Sequence, residues 1–396
     1  MDLHDSPTQA KFRAEVRQWL AAHLPEGWGQ PGFTEPETID EQVAFVRAWQ
    51  RKLYEGGWAG LDWPKAYGGR EIGIFENMIF HEEYAAARAP DMISISVGPS
   101  LVGPVLIACG TEEQKKRYLK PILTGEEVWC QGFSEPNAGS DLASLRTRGV
   151  VDGDEVVVTG QKIWTSFARH SQWCILVVRT DPEAPKHRGL SFLLCDMGSP
   201  GITIRPLKEM TGHEWFNEVF FDEVRIPIAN LVGELNAGWN VVTTVLSHER
   251  GSSAQHARLG RDIEALIELA KIAPRGGGMA VDDPLIRQRL MEHATAVMIL
   301  KMTAYRNASA MEATGVPGPE GSTMKLFWSE LDQRVKDTAA WILGERGLVP
   351  KGDPLAVEGG YWAYELLWSR AATIYAGTSE IQRNIIAQRV LGLPRQ

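Results

Sequence analysis

VVDGDEVVV, residues 150–158, places two β-branched runs on either side of an Asp-Gly step, the pattern of a tight hairpin. Outward from it lie WCILVVRT (173–180), GLSFLLCDM (189–197), ITIRPL (202–207) and NEVFFDEVRIP (217–227). Short β-rich runs at regular spacing predict a small β barrel or sandwich. The change of texture near Val128 and the return to helix at Asn236 bound a middle β domain at 126–235.

The flanks read as helix. Ser6-Pro7-Thr8-Gln9 combines a cap, a proline at the first helical position and a capping-box glutamine, and Phe12, Val16, Trp19 and Leu20 follow at helical spacing. Asp40 is the expected cap of a second helix carrying Val43, Val46 and Leu53, which stops at Gly56-Gly57. A third helix is expected over 71–87, and a fourth begins at Thr111 with Gln114 completing another capping box. After 236 a long helical stretch runs to the glycine-rich break at 274–279, and two or three more helices follow. The chain is therefore mainly α with a central β domain: an N-terminal helical domain (1–125), the β domain (126–235) and a C-terminal helical domain (236–396). The two helical parts are expected to pack together, with a ligand at the junction.

Composition narrows the function. Lys and Arg number 41 against 50 Asp and Glu, a net charge of −9, which disfavours nucleic acid as the main partner. Cys109, Cys130, Cys174 and Cys195 form no C-x-x-C pair and read as buried, reduced thiols. The opening MDLHDSPTQAKF has no basic start followed by an apolar core, so no secretory signal is expected and the cytoplasm is the default. No apolar run reaches bilayer length. The nine histidines show no metal-ligand spacing, so no metal is expected.

Four stretches carry polar groups suited to chemistry. WCQGFSEPNAGSDLASLRTRG (129–149) sets Gln131, Ser134, Asn137, Gly139 and Ser140 in a turn leaving a strand, although such residues also make ordinary loops. GQKIWTSFA (160–168) follows Trp164 with two hydroxyls, Thr165 and Ser166, which suits the edge of an aromatic cofactor as well as a core tryptophan. SHERGSSAQ (247–255) puts Glu249 and Arg250 in a largely apolar helix, where a desolvated carboxylate can act as a base and an exposed one as an ion-pair partner. Gly377-Thr378 opens an apolar helix, an arrangement that binds phosphate or simply caps the helix.

In this order the four stretches resemble the acyl-CoA dehydrogenase family along nearly the whole chain. QGFSEPNAGSDLASLRT (131–147) is similar to one family signature and AGTSEIQRNIIAQRVLG (376–392) to the other. The step of 24 residues from Ser140 to Trp164 also matches.

The resemblance implies a C-terminal four-helix bundle, FAD between the β domain and that bundle, an acyl-CoA substrate and an electron-transferring flavoprotein as acceptor. It further implies a homotetramer or dimer. By position, Gln131, Phe133, Ser134 and Ser140 would line the flavin and its pyrophosphate. Trp164, Thr165 and Ser166 would sit against the isoalloxazine, with the Ser166 hydroxyl near N5. Thr378 and Glu380 would contact the cofactor, and Ser140, Arg250, Ala376 and Gly377 the substrate, with the Ala376 N–H on the thioester oxygen.

Two departures from the family pattern carry information. Many members have their catalytic glutamate where this chain has Ala376, whereas a minority carry it on a bundle helix directly before an arginine, as Glu249-Arg250 does here. The resemblance therefore assigns the base to Glu249. Where relatives show Arg-x-x-Phe-Gly and Gln-x-x-Gly-Gly, this chain offers only Arg275 and replaces the glutamine with Trp341. That leaves open a partner of different sequence. An oxidase or monooxygenase on the same fold, and a non-catalytic subunit of a heteromeric enzyme, are the alternative readings.

Overall fold

The computed structural model describes residues 4–29, 33, 36–249, 255–315 and 318–394, without the side chains of His248 and Glu249. The helices of the first third are α1 (Pro7–His23), α2 (Ile39–Glu55), α3 (Ile74–Ala86), α4 (Gly103–Cys109) and α5 (Glu112–Thr124). The strands β1 (Trp129–Gly132), β2 (Arg148–Asp152), β3 (Glu155–Lys162), β4 (Trp173–Arg179), β5 (Leu190–Asp196), β6 (Ile202–Leu207), β7 (Phe216–Pro227) and β8 (Leu231–Val232) follow. Then come α6 (Gly238–Glu249), α7 (Gln255–Ile272), the short hairpin β9 (Pro274–Arg275) and β10 (Gly278–Met279), α8 (Pro284–Thr314), α9 (Gly321–Leu343), α10 (Tyr361–Ala372) and α11 (Ser379–Ile385).

The chain forms two compact units, and the helical first third contributes to both. One unit holds residues 25–72 and 90–249. Its sheet runs β6-β7-β3-β2-β4-β5-β8, with β1 parallel to β4. The expected hairpin is β2–β3, with Asp152 opposite Glu155 across the two-residue loop Gly153-Asp154 and Gly153 supplying φ 64°. Alternation along β3 sends Val156, Val158 and then Lys162 inward. A register shift between Val158 and Gly160 lets the strand bend before the Trp164 turn. Cys130, Cys174 and Cys195 sit side by side across β1, β4 and β5 inside the core, and burial pushes the Cys174 and Cys195 thiols well up. Cys109, expected to be buried, is only half-buried, since it closes the short α4 beside Gly110. Helix α5 is fastened to the sheet by Gln114, whose amide donates to the Ala229 and Leu231 carbonyls at 2.9 Å each.

The other unit joins residues 1–24 and 73–89 to 250–396. Helices α7 to α10 bury Leu259, Ile263, Leu266, Leu300, Leu331, Val335 and Trp362 in one core. Inside it Lys336 is fully buried and pairs with Asp262, with Asp332 at 3.5 Å and with Glu365 at 3.7 Å, while Arg258 meets Glu365 at 3.3 Å. Helices α1 and α3 are joined by Arg13 and Arg17 on Glu83, and α3 reaches α7 and α8 through Glu82, which accepts from His256 at 2.9 Å and Tyr305 at 3.1 Å.

The predicted caps at Ser6 and Thr111 form as full capping boxes. Helix α2 is capped by Thr38 rather than Asp40, because Glu41 stands three residues after Thr38 and the two exchange side-chain and backbone hydrogen bonds. Helix α3 starts at Ile74, three residues later than expected, since Glu71 is held at φ 54°. Helix α4 and the π turn before it at 98–102 were not read from the sequence, and among the described residues four α-helices rather than two or three follow the glycine-rich break.

Candidate functional site

In the β-containing unit, the segment leaving β1 is held by a buried charge pair. Glu135 accepts the backbone N–H of Arg146 at 2.6 Å and of Thr147 at 2.8 Å, and takes a third hydrogen bond from Lys162 at 2.9 Å. Lys162 also donates to the Phe133 carbonyl at 3.0 Å. Burial pulls the Lys162 amine down. Burial alone would push Glu135 up, but Lys162 and the two N–H groups hold it below the usual carboxylate range. Ile163 donates to the Ser134 carbonyl at 2.9 Å, so the segments 131–135 and 161–166 lie side by side. This brings Gln131, Phe133 and Ser134 together with Trp164, Thr165 and Ser166. Phe133 is buried edge-on against Phe192 at 6.0 Å, whereas Ser140 is exposed further along the loop.

Trp164 is the unusual residue of this half. It is 59 % exposed and held at φ 61°, and its ring meets Phe216 edge-on at 5.8 Å. A large aromatic face held outward by a left-handed backbone suits a planar ligand better than a core. Directly after it, Thr165 exchanges backbone hydrogen bonds with Asn217 at 3.1 Å, yet its fully buried hydroxyl and the Asn217 side-chain oxygen have no hydrogen-bond partner among the described residues. Orphaned groups at such a place fit a polar ring edge that would complete them. The sequence reading missed Glu135, Lys162 and Asn217. The inward register of Lys162 on β3 was the signal that marks it.

In the other unit, α10 ends at Ala372 and a tight turn leads to α11. Ala376 and Gly377 take φ 53° and 86°. Gln382, fully buried on α11, donates its amide to both of their carbonyls, at 2.9 and 3.1 Å. The N–H of Ala376 has no hydrogen-bond partner among the described residues. A β-carbon on Gly377 would approach the Gln382 amide nitrogen to 2.7 Å, which together with its φ restricts this position to glycine. Thr378 caps α11 by accepting from the Ile381 N–H at 3.3 Å, and Glu380 lies exposed in the first turn, its pKa lowered by its own backbone N–H and by Thr378. Glu249 is the last residue of α6; its side chain, and Arg250 altogether, lie outside the described residues.

Trp341 and Arg275, the two departures in the cofactor-contact region, meet each other. Both Arg275 and Arg289 hold a guanidinium over the Trp341 ring, at 4.6 and 4.7 Å from its centroid. Arg275 is further engaged by Asp283 at 2.9 Å and by the Trp341 carbonyl at 3.1 Å. Among the described residues no helix is long and apolar enough to cross a membrane.

Three family descriptions tile the sequence: acyl-CoA dehydrogenase N-terminal domain over residues 6–126, middle domain over 130–224 and C-terminal domain over 236–391. The chain is 42 % identical over 396 residues to acyl-CoA dehydrogenase IpdE1 of Mycobacterium tuberculosis, covering 98 % of each. Two solved structures are similar over the full length of both chains at 33 % identity. One is the Tcur3481-Tcur3483 steroid ACAD, with a TM-score of 0.85, and the other the ChsE4-ChsE5 complex from Mycobacterium tuberculosis, with a TM-score of 0.83. On this full-length agreement of sequence, domain order and fold, the chain belongs to the acyl-CoA dehydrogenase family of flavoprotein oxidoreductases.

Proposed function

We propose that this chain catalyses α,β-dehydrogenation of an acyl-CoA thioester, with FAD as cofactor, Glu249 as the base that takes the α-proton, and an electron-transferring flavoprotein as acceptor. The observation that supports this most is the turn at Tyr375–Gly377. Its Ala376 and Gly377 carbonyls are occupied by Gln382, and among the described residues the Ala376 N–H has no partner. An N–H fixed in this way can donate to the oxygen of a thioester as it gains enolate character, and it needs no reorganisation to do so. Ala376 carries no group that could remove a proton, so the base must stand elsewhere, and Glu249 is the carboxylate that the family resemblance supplies.

Bound FAD would supply the two-electron acceptor for the β-hydrogen. The residues that would hold it are Gln131, Phe133, Ser134 and Ser140 along the first signature, Trp164 by its exposed face, Thr165 and Ser166 by their hydroxyls, and Thr378 and Glu380 in the second signature. Ser140 and Gly377 would also meet the CoA thioester, and Arg250 would orient Glu249. A bulky polycyclic acyl group is the substrate class favoured by likeness to a protein described as a steroid ACAD. The occupied Trp341 ring supports an assembly with a partner of different sequence: the two cations over it and the engagement of Arg275 leave this position little freedom to accept a cofactor edge.

Anaerobic titration of the purified, flavin-loaded protein with a panel of acyl-CoA thioesters tests the reading, comparing wild type with Glu249→Gln. Bleaching of the flavin band in wild type alone, with flavin retained by the variant, is the expected result. Bleaching that survives in the variant would show that the base is another group.

A further inference from the structure

Among the described residues, four buried polar groups on α9 and α11 lack hydrogen-bond partners, and α11 directly follows the turn that holds Ala376. Ser322 and Lys325 lie one turn apart on α9, and Ser379 and Gln382 lie one turn apart on α11, which packs on α9. Ser322 and Gln382 are fully buried, and Lys325 and Ser379 are 3 and 5 % exposed. The Ser322 and Ser379 hydroxyls, the Lys325 amine and the Gln382 side-chain oxygen have no hydrogen-bond partner among the described residues. One such group would be unusual, and an unpaired amine on a buried lysine more so.

The donor and acceptor inventory is complementary. The Gln382 amide nitrogen is spent on the Ala376 and Gly377 carbonyls, so only its oxygen, an acceptor, remains. Lysine offers three donors and no acceptor, and serine offers either. Lys325 also lies beside the turn itself, its amine 6.0 Å from the centroid of the Tyr375 ring. Two carboxylates act on it, Glu380 of α11 and Glu330 of α9, and Arg383 pairs with both of these. Burial pulls the Lys325 amine down to about 8, against the raising effect of Glu380 and Glu330.

We infer that Lys325 is a positioning residue for the oxyanion turn: buried on α9 against Tyr375, it sets a positive charge next to the turn whose Ala376 and Gly377 carbonyls Gln382 holds. This rests on the dehydrogenase reading above. An enolate oxygen held by the Ala376 N–H gains from a nearby cation in a low-dielectric setting, whereas the neutral thioester gains little. The contribution therefore appears in kcat more than in KM, and it fades on the alkaline side as the amine loses its proton.

The test uses the flavin-loaded enzyme and a 3-oxoacyl-CoA, a carbon acid whose bound enolate places stable negative charge on the thioester oxygen. The fraction ionised is followed by absorbance against pH. Lys325→Met is expected to move the ionisation up by about one pH unit, a roughly tenfold loss of enolate at fixed pH, and Lys325→Arg to restore most of it. Because Lys325→Met removes a desolvated amine, its Tm should equal or exceed that of wild type. Unchanged ionisation in Lys325→Met, or a shift that accompanies a fall in Tm and is shared by Lys325→Arg, would overturn the inference. If wild type binds the thioester without ionising it, the dehydrogenase reading falls, and this inference with it.

Discussion

Lys162 and Glu135, 27 residues apart in sequence, meet at 2.9 Å with the lysine fully buried, and between them they fix the first signature loop to the end of β3. Removing one partner leaves the other charge stranded in the interior, which costs about 3–5 kcal/mol. Lys162→Met is therefore expected to lower the urea midpoint strongly and to release flavin before the protein unfolds. The double change Lys162→Met with Glu135→Gln should recover part of the stability, because no charge is then left unpaired. Urea titrations followed by flavin fluorescence and by circular dichroism separate the two events.

Trp164 is the opposite case. At 59 % exposure its ring contributes little to the folded state of the chain alone, so Trp164→Ala should change apoprotein stability by no more than about 0.5 kcal/mol. The same change removes the aromatic face proposed to cover the cofactor, worth about 0.5–1.5 kcal/mol for a stacked pair, and should weaken FAD binding by up to about tenfold. Fluorescence titration of apoprotein with FAD, beside a thermal melt without it, checks both. A variant that loses stability and keeps its FAD affinity would show that the ring is structural.

Much of the architecture was legible because local signals agreed with one another. Ser6 with Gln9 and Thr111 with Gln114 announce helix starts that form as read, and the Asp-Gly step at 152–153 sets a hairpin whose register follows from alternation. The α2 cap was misplaced because Asp40 and Thr38 both suit the role, and only the glutamate at position 41 decides between them. In the candidate site, the departures from the family pattern are what the sequence displays: Ala376 is conspicuous for what it lacks, and Trp341 for what it replaces. Pairing between distant segments was not legible. Nothing near Glu135 names Lys162 as its partner, nothing in GTSEIQR says that Gln382 folds back on the turn before it, and an exposed tryptophan looks in sequence like a buried one.

Acid should loosen the unit that contains α1 and α3 through Glu82. Burial alone would raise its pKa, but His256, Lys301 and Arg13 outweigh that and hold it at about 2, below its ordinary value of 4.5. A carboxylate with a depressed folded-state pKa contributes stability that is fully present above the unfolded value and is lost as pH falls through the folded one. The loss attributable to Glu82 therefore falls between about pH 4.5 and pH 2. Glu82→Gln should be less stable than wild type at pH 7 and lose less of its remaining stability across that window. Urea midpoints at pH 7 and pH 3 give the comparison, and parallel declines in the two proteins would mean that other carboxylates govern the acid limb.

Lys336 gives the sharpest test of how the helical core is held. It is the fully buried cation facing Asp262, Asp332 and Glu365, with Arg258 as a second cation on Glu365. Desolvation raises Glu365 above the ordinary carboxylate range, whereas Asp262, desolvated too, is drawn below it by Lys336 and Arg258. The two carboxylates therefore depend on Lys336 to different degrees. Lys336→Met should destabilise the protein by about 3–5 kcal/mol. Adding Asp262→Asn should return a large share of that, because Asp262 stays charged in the interior with only the looser support of Arg261 at 3.5 Å and the field of Arg258, whereas adding Glu365→Gln should return less, because Glu365 is already raised by burial and keeps its ion pair with Arg258 at 3.3 Å. A double-mutant cycle with chemical denaturation reads both couplings directly. Equal recovery from the two additions would mean that the network shares its charge evenly and that Asp262 is not the principal partner of Lys336.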